Sequence, residues 1–135
     1  MPQIEWSGSF NTNVKSIDSQ HKKLIQIMNE LGKAMSSGYG REAIGETIAA
    51  LFDYTKYHFE MEEKKMDEYN YPDAPGHKKA HYDFIGKIGQ LEEKVKSGGF
   101  AITIETMHFI SRWIQDHIMV KDKEFGRFLN GMGVE

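Results

Sequence analysis

The chain has 135 residues, 39% hydrophobic and 27% charged, which suits a single soluble domain with a buried core. Its formal net charge is −3 and its lysines interleave with acids, as in Glu62-Glu63-Lys64-Lys65. Such runs read as solvated helix faces, so neither a nucleic-acid nor an anionic-membrane surface is indicated. The absence of cysteine excludes disulfides, thiolate nucleophiles, iron–sulfur clusters and zinc–thiolate sites, so any metal must be held by nitrogen and oxygen.

Residues 1–17 place Trp6, Phe10 and Val14 among Ser, Asn and Gly without helical periodicity, which predicts an arm packed on the rest of the chain. The opening Met-Pro-Gln-Ile-Glu-Trp has no basic region followed by an apolar stretch, and no apolar run approaches the ~20 residues of a membrane span, so a cytoplasmic protein is expected. Asp18 or Ser16 can cap a first helix over about residues 18–37. There His21, Leu24, Ile25, Met28, Leu31 and Met35 recur at three- and four-residue steps. Ser-Ser-Gly-Tyr-Gly at 36–40 ends it.

A second helix over about 41–68 carries Ile44, Ile48, Leu51, Thr55, His58 and Glu62 on one side, broadened by Phe52 and Phe59. Pro72, Pro75 and Gly76 interrupt the chain. The third helix, about 75–96, carries His77, His81, Phe84, Ile88, Leu91 and Val95 and stops at Ser97-Gly98-Gly99. The fourth, about 100–120, carries Ile102, Met107, Ile110, Ile114, His117 and Ile118, with Trp113 beside them. Period-two alternation is scarce and the breaks are short. The expected fold is all-α: one domain over 1–135, an antiparallel up-down-up-down four-helix bundle with an N-terminal arm.

In that topology His21 at the start of the first helix, His58 and Glu62 late in the second, His77 and His81 opening the third and His117 late in the fourth share one end of the bundle. His58 and Glu62 are four residues apart, as are His77 and His81, so each pair projects from one helix face about 40° apart. All lie on apolar stripes and point inward. Burying an isolated carboxylate is very costly, and coordination to two cations resolves that cost together with the imidazoles' need for partners. Asp122 follows His117 by five residues, which leaves the two about 140° apart on a regular α-helix. Both reach one site only if the helix widens, unwinds or ends between them, so non-α geometry is predicted within 118–122.

The ordered set His21 in Asp-Ser-Gln-His-Lys-Lys-Leu, His58-Phe-Glu-Met-Glu62, His77-Lys-Lys-Ala-His81 and His117-Ile-Met-Val-Lys-Asp122 resembles the hemerythrins, specifically the single-domain bacterial hemerythrins, over essentially the whole chain. The resemblance implies a non-haem di-iron site that binds O2 reversibly. In it His77, His81 and His117 hold one iron, His21 and His58 the other, and Glu62 and Asp122 bridge both together with an oxo or hydroxo group. Counting ligands then leaves one open position on the two-histidine iron, where O2 is expected to bind. Leu24 and Phe59 neighbour that iron's ligands, and Trp113, Ile114 and Ile118 are expected to close over it as an apolar O2 pocket. A dry pocket without acid or base favours release of O2 over O–O cleavage.

His108 completes an ExxH with Glu105, but the ferritin-like architecture needs two such motifs and further glutamates. It also lies about 180° around the helix from His117, so a surface position is expected. The methionines read as core filling or surface, and the sequence does not assign a tyrosine to the site. Storage, transport or delivery of O2 by a monomer is the leading expectation, with an O2-consuming protein as candidate recipient. The alternative is a di-iron enzyme on the same scaffold: a peroxidase, an oxidase, or a nitric-oxide or iron-handling protein. Donor chemistry alone also admits zinc, manganese or cobalt.

Overall fold

The computed structural model describes residues 3–36, 41–97 and 104–135. Helices α1 (Lys15–Ser36), α2 (Arg41–Glu68), α3 (Ala74–Lys96) and α4 (Ile104–His117) form the bundle, and there is no strand among the described residues. The breaks expected at 37–40 and 98–99, the start of the last helix near residue 100 and Ile102 fall outside those residues. No described helix is long and apolar enough to cross a membrane.

The inward stripes meet in one core in which Leu24, Leu31, Ile48, Leu51, Phe84, Ile88, Ile110 and Ile114 are all buried. Burial of such side chains is worth ~1.5–3 kcal/mol each, and it orients each helix about its axis. The arm is pinned to this body. Asn29 on α1 takes both backbone groups of Ile4, accepting from its N–H at 2.9 Å and donating to its carbonyl at 2.9 Å. A single 3-10 turn, Gly8–Phe10, then buries Phe10.

α1 starts at Lys15, three residues ahead of the expected boundary. Neither Asp18 nor Ser16 stands at its N-cap. The Asp18 carboxylate reaches back instead, accepting from the N–H and the hydroxyl of Thr12 at 2.9 and 2.8 Å. Asn13 turns the chain between them with φ 63°, a left-handed conformation that Asn tolerates better than most residues. α2 ends in a related way. Asn70 takes φ 54° and the Tyr71 N–H closes on the Met66 carbonyl at 2.9 Å, a Schellman-type stop. Five residues then reverse the chain into α3, whose first turn holds Pro75.

The last helix does not stop near residue 120. α4 passes directly into a π-helical segment, Ile118–Asp122, and then into α5 (Lys123–Gly131). Phe125 and Leu129 of α5 join Val14, Ile17, Met66 and Tyr71 in a second apolar cluster. Ile17 precedes His21 by one turn, Met66 follows Glu62 by one turn and Phe125 follows Asp122. The ligand layer therefore lies between two apolar cores, and the second one plugs the end of the bundle.

Candidate metal centre

Five imidazoles and two carboxylates converge where the two cores meet. His21 comes from α1, His58 and Glu62 from α2, His77 and His81 from α3, His117 from the end of α4 and Asp122 from the end of the π segment. His117 is 7% exposed and the other six are at most 1% exposed. The π segment brings Asp122 back over His117: in an i→i+5 turn residues five apart stand above one another, which the 3.6-residue helix does not allow.

The donors fall into two groups that share both carboxylates. Glu62, His77, His81, His117 and Asp122 form one, and His21, His58, Glu62 and Asp122 the other. In the first, the His117 Nε2 is 3.0 Å from the Nε2 atoms of both His77 and His81. Asp122 spans the groups. Its Oδ1 is 2.9 Å from His77 Nε2 and 3.2 Å from His117 Nε2, while its Oδ2 is 2.9 Å from His21 Nε2. Glu62 does the same, with Oε1 3.3 Å from His81 and 3.4 Å from His58, and Oε2 3.7 Å from His21.

This donor set fits two cations. Both Glu62 oxygens, Asp122 Oδ2, His58 Nε2 and both His21 nitrogens are buried without a hydrogen bond of acceptable geometry. Each such group is costly to leave unpaired. Three Nε2 atoms converging at 3.0 Å cannot all be satisfied by one another's protons. A cation on each side would give the carboxylate oxygens and the inward-facing Nε2 atoms, though not His21 Nδ1, the partner they lack.

Two imidazoles are also aimed from behind. His58 Nδ1 lies 2.7 Å from Gln20 Oε1, and His81 Nδ1 lies 3.0 Å from Glu63 Oε2. Both partners are acceptors, so each Nδ1 carries the hydrogen and donates it, and the lone pair of Nε2 faces inward. Glu63 thus has a specific partner although its run reads as a solvated face. Gln20 and Glu63 each sit next to a ligand in sequence but serve a ligand on another helix, and chain spacing carries no sign of that pairing.

Stacked rings fix the remaining orientations. Phe59 lies flat on His81 at 3.7 Å between centroids and 2° between planes. Trp113 covers His117 at 4.5 Å and 10°, and Phe84 backs Trp113 at 3.8 Å. Trp113, expected over the two-histidine group, therefore lies against the three-histidine group. It precedes His117 by one turn on the same helix face, so its ring falls on its own helix's imidazole. Leu24, Phe59, Ile114 and Ile118 are buried. His108 is exposed on the far side of α4, and Tyr71 approaches the site edge-on to His77 at 6.4 Å.

The electrostatics come from the convergence. Burial works against charge on His21 and His81, yet the close carboxylates of Asp122 and Glu62 for the first, and of Glu62 and Glu63 for the second, lift both imidazoles to about 9. Burial dominates at His58 and lowers it to about 4. Burial, and for Glu62 the neighbouring Asp122 charge, would raise the two carboxylates. The surrounding histidines outweigh this and hold both well below the usual range.

A family model, the hemerythrin HHE cation binding domain, matches residues 12–129. Bacteriohemerythrin of Methylococcus capsulatus is 33% identical over 131 residues, 96% of this chain and 99% of that protein. Myohemerythrin-1 of Phascolopsis gouldii is 28% identical over 120 residues, 89% of each. A crystal structure of wild-type hemerythrin superimposes with a TM-score of 0.88 at 32% identity, covering 93% of this chain and 97% of that one. The sequence match, the shared bundle and the paired donor groups agree: the chain belongs to the hemerythrin family.

Proposed function

We propose that the whole chain acts as one hemerythrin-like domain that binds O2 reversibly at a di-iron centre, for storage, transport or delivery. His77, His81 and His117 would hold one iron and His21 and His58 the other, with Glu62 and Asp122 shared. Two ferrous ions so held would supply the two electrons needed for reversible O2 binding. The observation that carries the reading is the asymmetry of the donors: both carboxylates are common to the two groups, but one side has three imidazoles and the other two. The two-histidine side thus has one protein nitrogen fewer, and that is where a small ligand is accommodated.

The surrounding residues suit release over chemistry. Leu24, Phe59, Ile114 and Ile118 present hydrocarbon, and the Phe125 and Leu129 cluster closes the bundle end against water. Among the described residues no carboxylate, imidazole, lysine or arginine is buried apart from the seven, and the phenol of buried Tyr71 is pushed up to about 12 by burial. Proton delivery, which an oxidase or peroxidase needs, has only weakly acidic hydroxyls to start from.

Mixing the anaerobic diferrous protein with O2 should give a coloured adduct that bleaches when O2 is removed and recovers on re-exposure. Rapid oxidation with no recoverable diferrous form would sink the carrier reading, and fast peroxide turnover with a reductant would favour the enzyme.

Metal loading is expected to be pH-dependent. His21 and His81 hold protons up to about pH 9 in the metal-free protein, so uptake at pH 7 releases about two of them and affinity rises with pH towards 9. Stability moves the other way. These two imidazoles are raised above their unfolded value of 6.5, so their contribution is fully present below 6.5 and is lost as pH rises through about 9. Calorimetric titration in buffers of different ionisation enthalpy counts the protons. The melting temperature of the metal-free protein should fall between about pH 6.5 and 9.5 while affinity climbs.

A further inference from the structure

The buried polar side chains among the described residues sort into three kinds. Seven belong to the metal centre. Thr12 bonds Asp18 and Ser111 bonds Gln115. Thr55 remains: it is 0% exposed, and its hydroxyl oxygen has no hydrogen-bond partner. An unpaired buried hydroxyl is unfavourable, and a valine of the same shape would avoid the cost. Its presence calls for a partner that is not part of the chain.

Its position says which side of the centre that partner occupies. α1 runs from His21 into the bundle, and α2 runs out of the bundle towards His58. Leu24 and Thr55 are therefore each one turn deeper than their helix's histidine. Thr55 and His58 are helix neighbours, with Cβ atoms about 5–6 Å apart, and Glu62 lies beyond His58 in the opposite direction. His58 belongs to the two-histidine group. On the other helices the corresponding places are taken by Phe84 and Ile114, both buried and apolar. Thr55 supplies the polar atom in an otherwise hydrocarbon layer.

We propose that the Thr55 hydroxyl donates a hydrogen bond to the small ligand held on the two-histidine side, O2 in function and azide as its anionic probe. The role of Thr55 rests on the di-iron reading of the centre. A hydroxyl suits reversible binding because it stabilises negative charge on the ligand without surrendering its proton, as an imidazolium or carboxylic acid would.

The test uses the iron-loaded diferric protein titrated with azide by visible absorption, together with melting curves of the zinc-loaded protein without azide. Thr55→Val should weaken azide binding about tenfold or more, and Thr55→Ser should stay within about threefold of the unchanged protein. Zinc-loaded Thr55→Val should melt a few degrees higher, since the unpaired hydroxyl is gone. Unchanged azide affinity in Thr55→Val overturns the proposal whatever the melting temperature. A lower melting temperature also overturns it, because the hydroxyl would then be bonded within its own helix. Failure of the unchanged protein to take up iron or azide overturns the di-iron reading itself. Azide binding that ignores Thr55→Val removes only the role of Thr55.

Discussion

Asp122→Ala is expected to abolish loading of both metal positions, whereas His58→Ala should empty only one. The two carboxylate oxygens of Asp122 face different groups, Oδ1 towards His77 and His117 and Oδ2 towards His21. Removing them takes an anionic donor from each side at once. The loss should exceed the ~10–100-fold fall in affinity caused by removing an outer partner of a ligand, since a direct donor goes. His58 touches only the two-histidine group, and the other group keeps all five of its residues. Metal analysis after anaerobic loading and desalting should give about two irons per chain for the unchanged protein, about one for His58→Ala and close to none for Asp122→Ala. Asp122→Asn keeps the volume and separates the effect of charge from that of packing. Equal loss of both ions from His58→Ala would leave the assignment of histidines to irons unsupported.

Gly126→Ala should be the most damaging small change outside the ligands. A Cβ on Gly126 would overlap the Thr12 carbonyl oxygen and press on the Thr12 Cβ at 2.9 Å. The obstacle is backbone, and Thr12 cannot retreat cheaply because its N–H and hydroxyl are both held by Asp18. The expected cost is about 3 kcal/mol, at the upper end for overpacking, which lowers the melting temperature by roughly 10 °C. The clash also sits between Asp122, one turn before Gly126, and Asp18, three residues before His21. Relief by moving either element displaces a donor, so iron affinity should fall along with stability. Circular-dichroism melts and metal titration of the same sample check both. A variant that melts with the unchanged protein would show that the arm stands further from α5.

The bundle and the convergence of seven side chains are legible in the sequence because helical periodicity and chain reversal fix direction and depth without reference to any partner. His58 with Glu62 and His77 with His81 come from a four-residue step alone. The widened turn before Asp122 is legible too, since a five-residue step cannot keep one face of a regular helix. The helix beyond that turn is not. Counted at about 100° per residue Phe125 stays about 20° from Ile114, so the stripe itself runs on; α5 and its cluster are hidden because a five-residue step is met equally by a widened turn or by a helix that ends, and the expected helix ends there. Gln20 and Glu63 are hidden for a different reason: their partners lie across the bundle, and a one-dimensional pattern does not record which neighbouring helix a polar side chain meets. Trp113 shows the limit from another side. Its stripe is plain, but whether its ring covers the near or the far imidazoles depends on stacking geometry within one helical turn.

The widened turn also changes how this chain tolerates changes in length. An i→i+5 turn takes up one residue beyond what a regular helix needs, and the helix after it continues as though the extra residue were absent. Loss of a single codon for exposed Val120 would therefore leave Asp122 a normal four-residue step from His117, with Phe125 and Leu129 still directed at the core. The same loss between His58 and Glu62 would swing Glu62 by about 100° out of the site. Along the four helices that carry the donors, this one joint is where the reading frame of the fold can slip by a residue and keep its ligands.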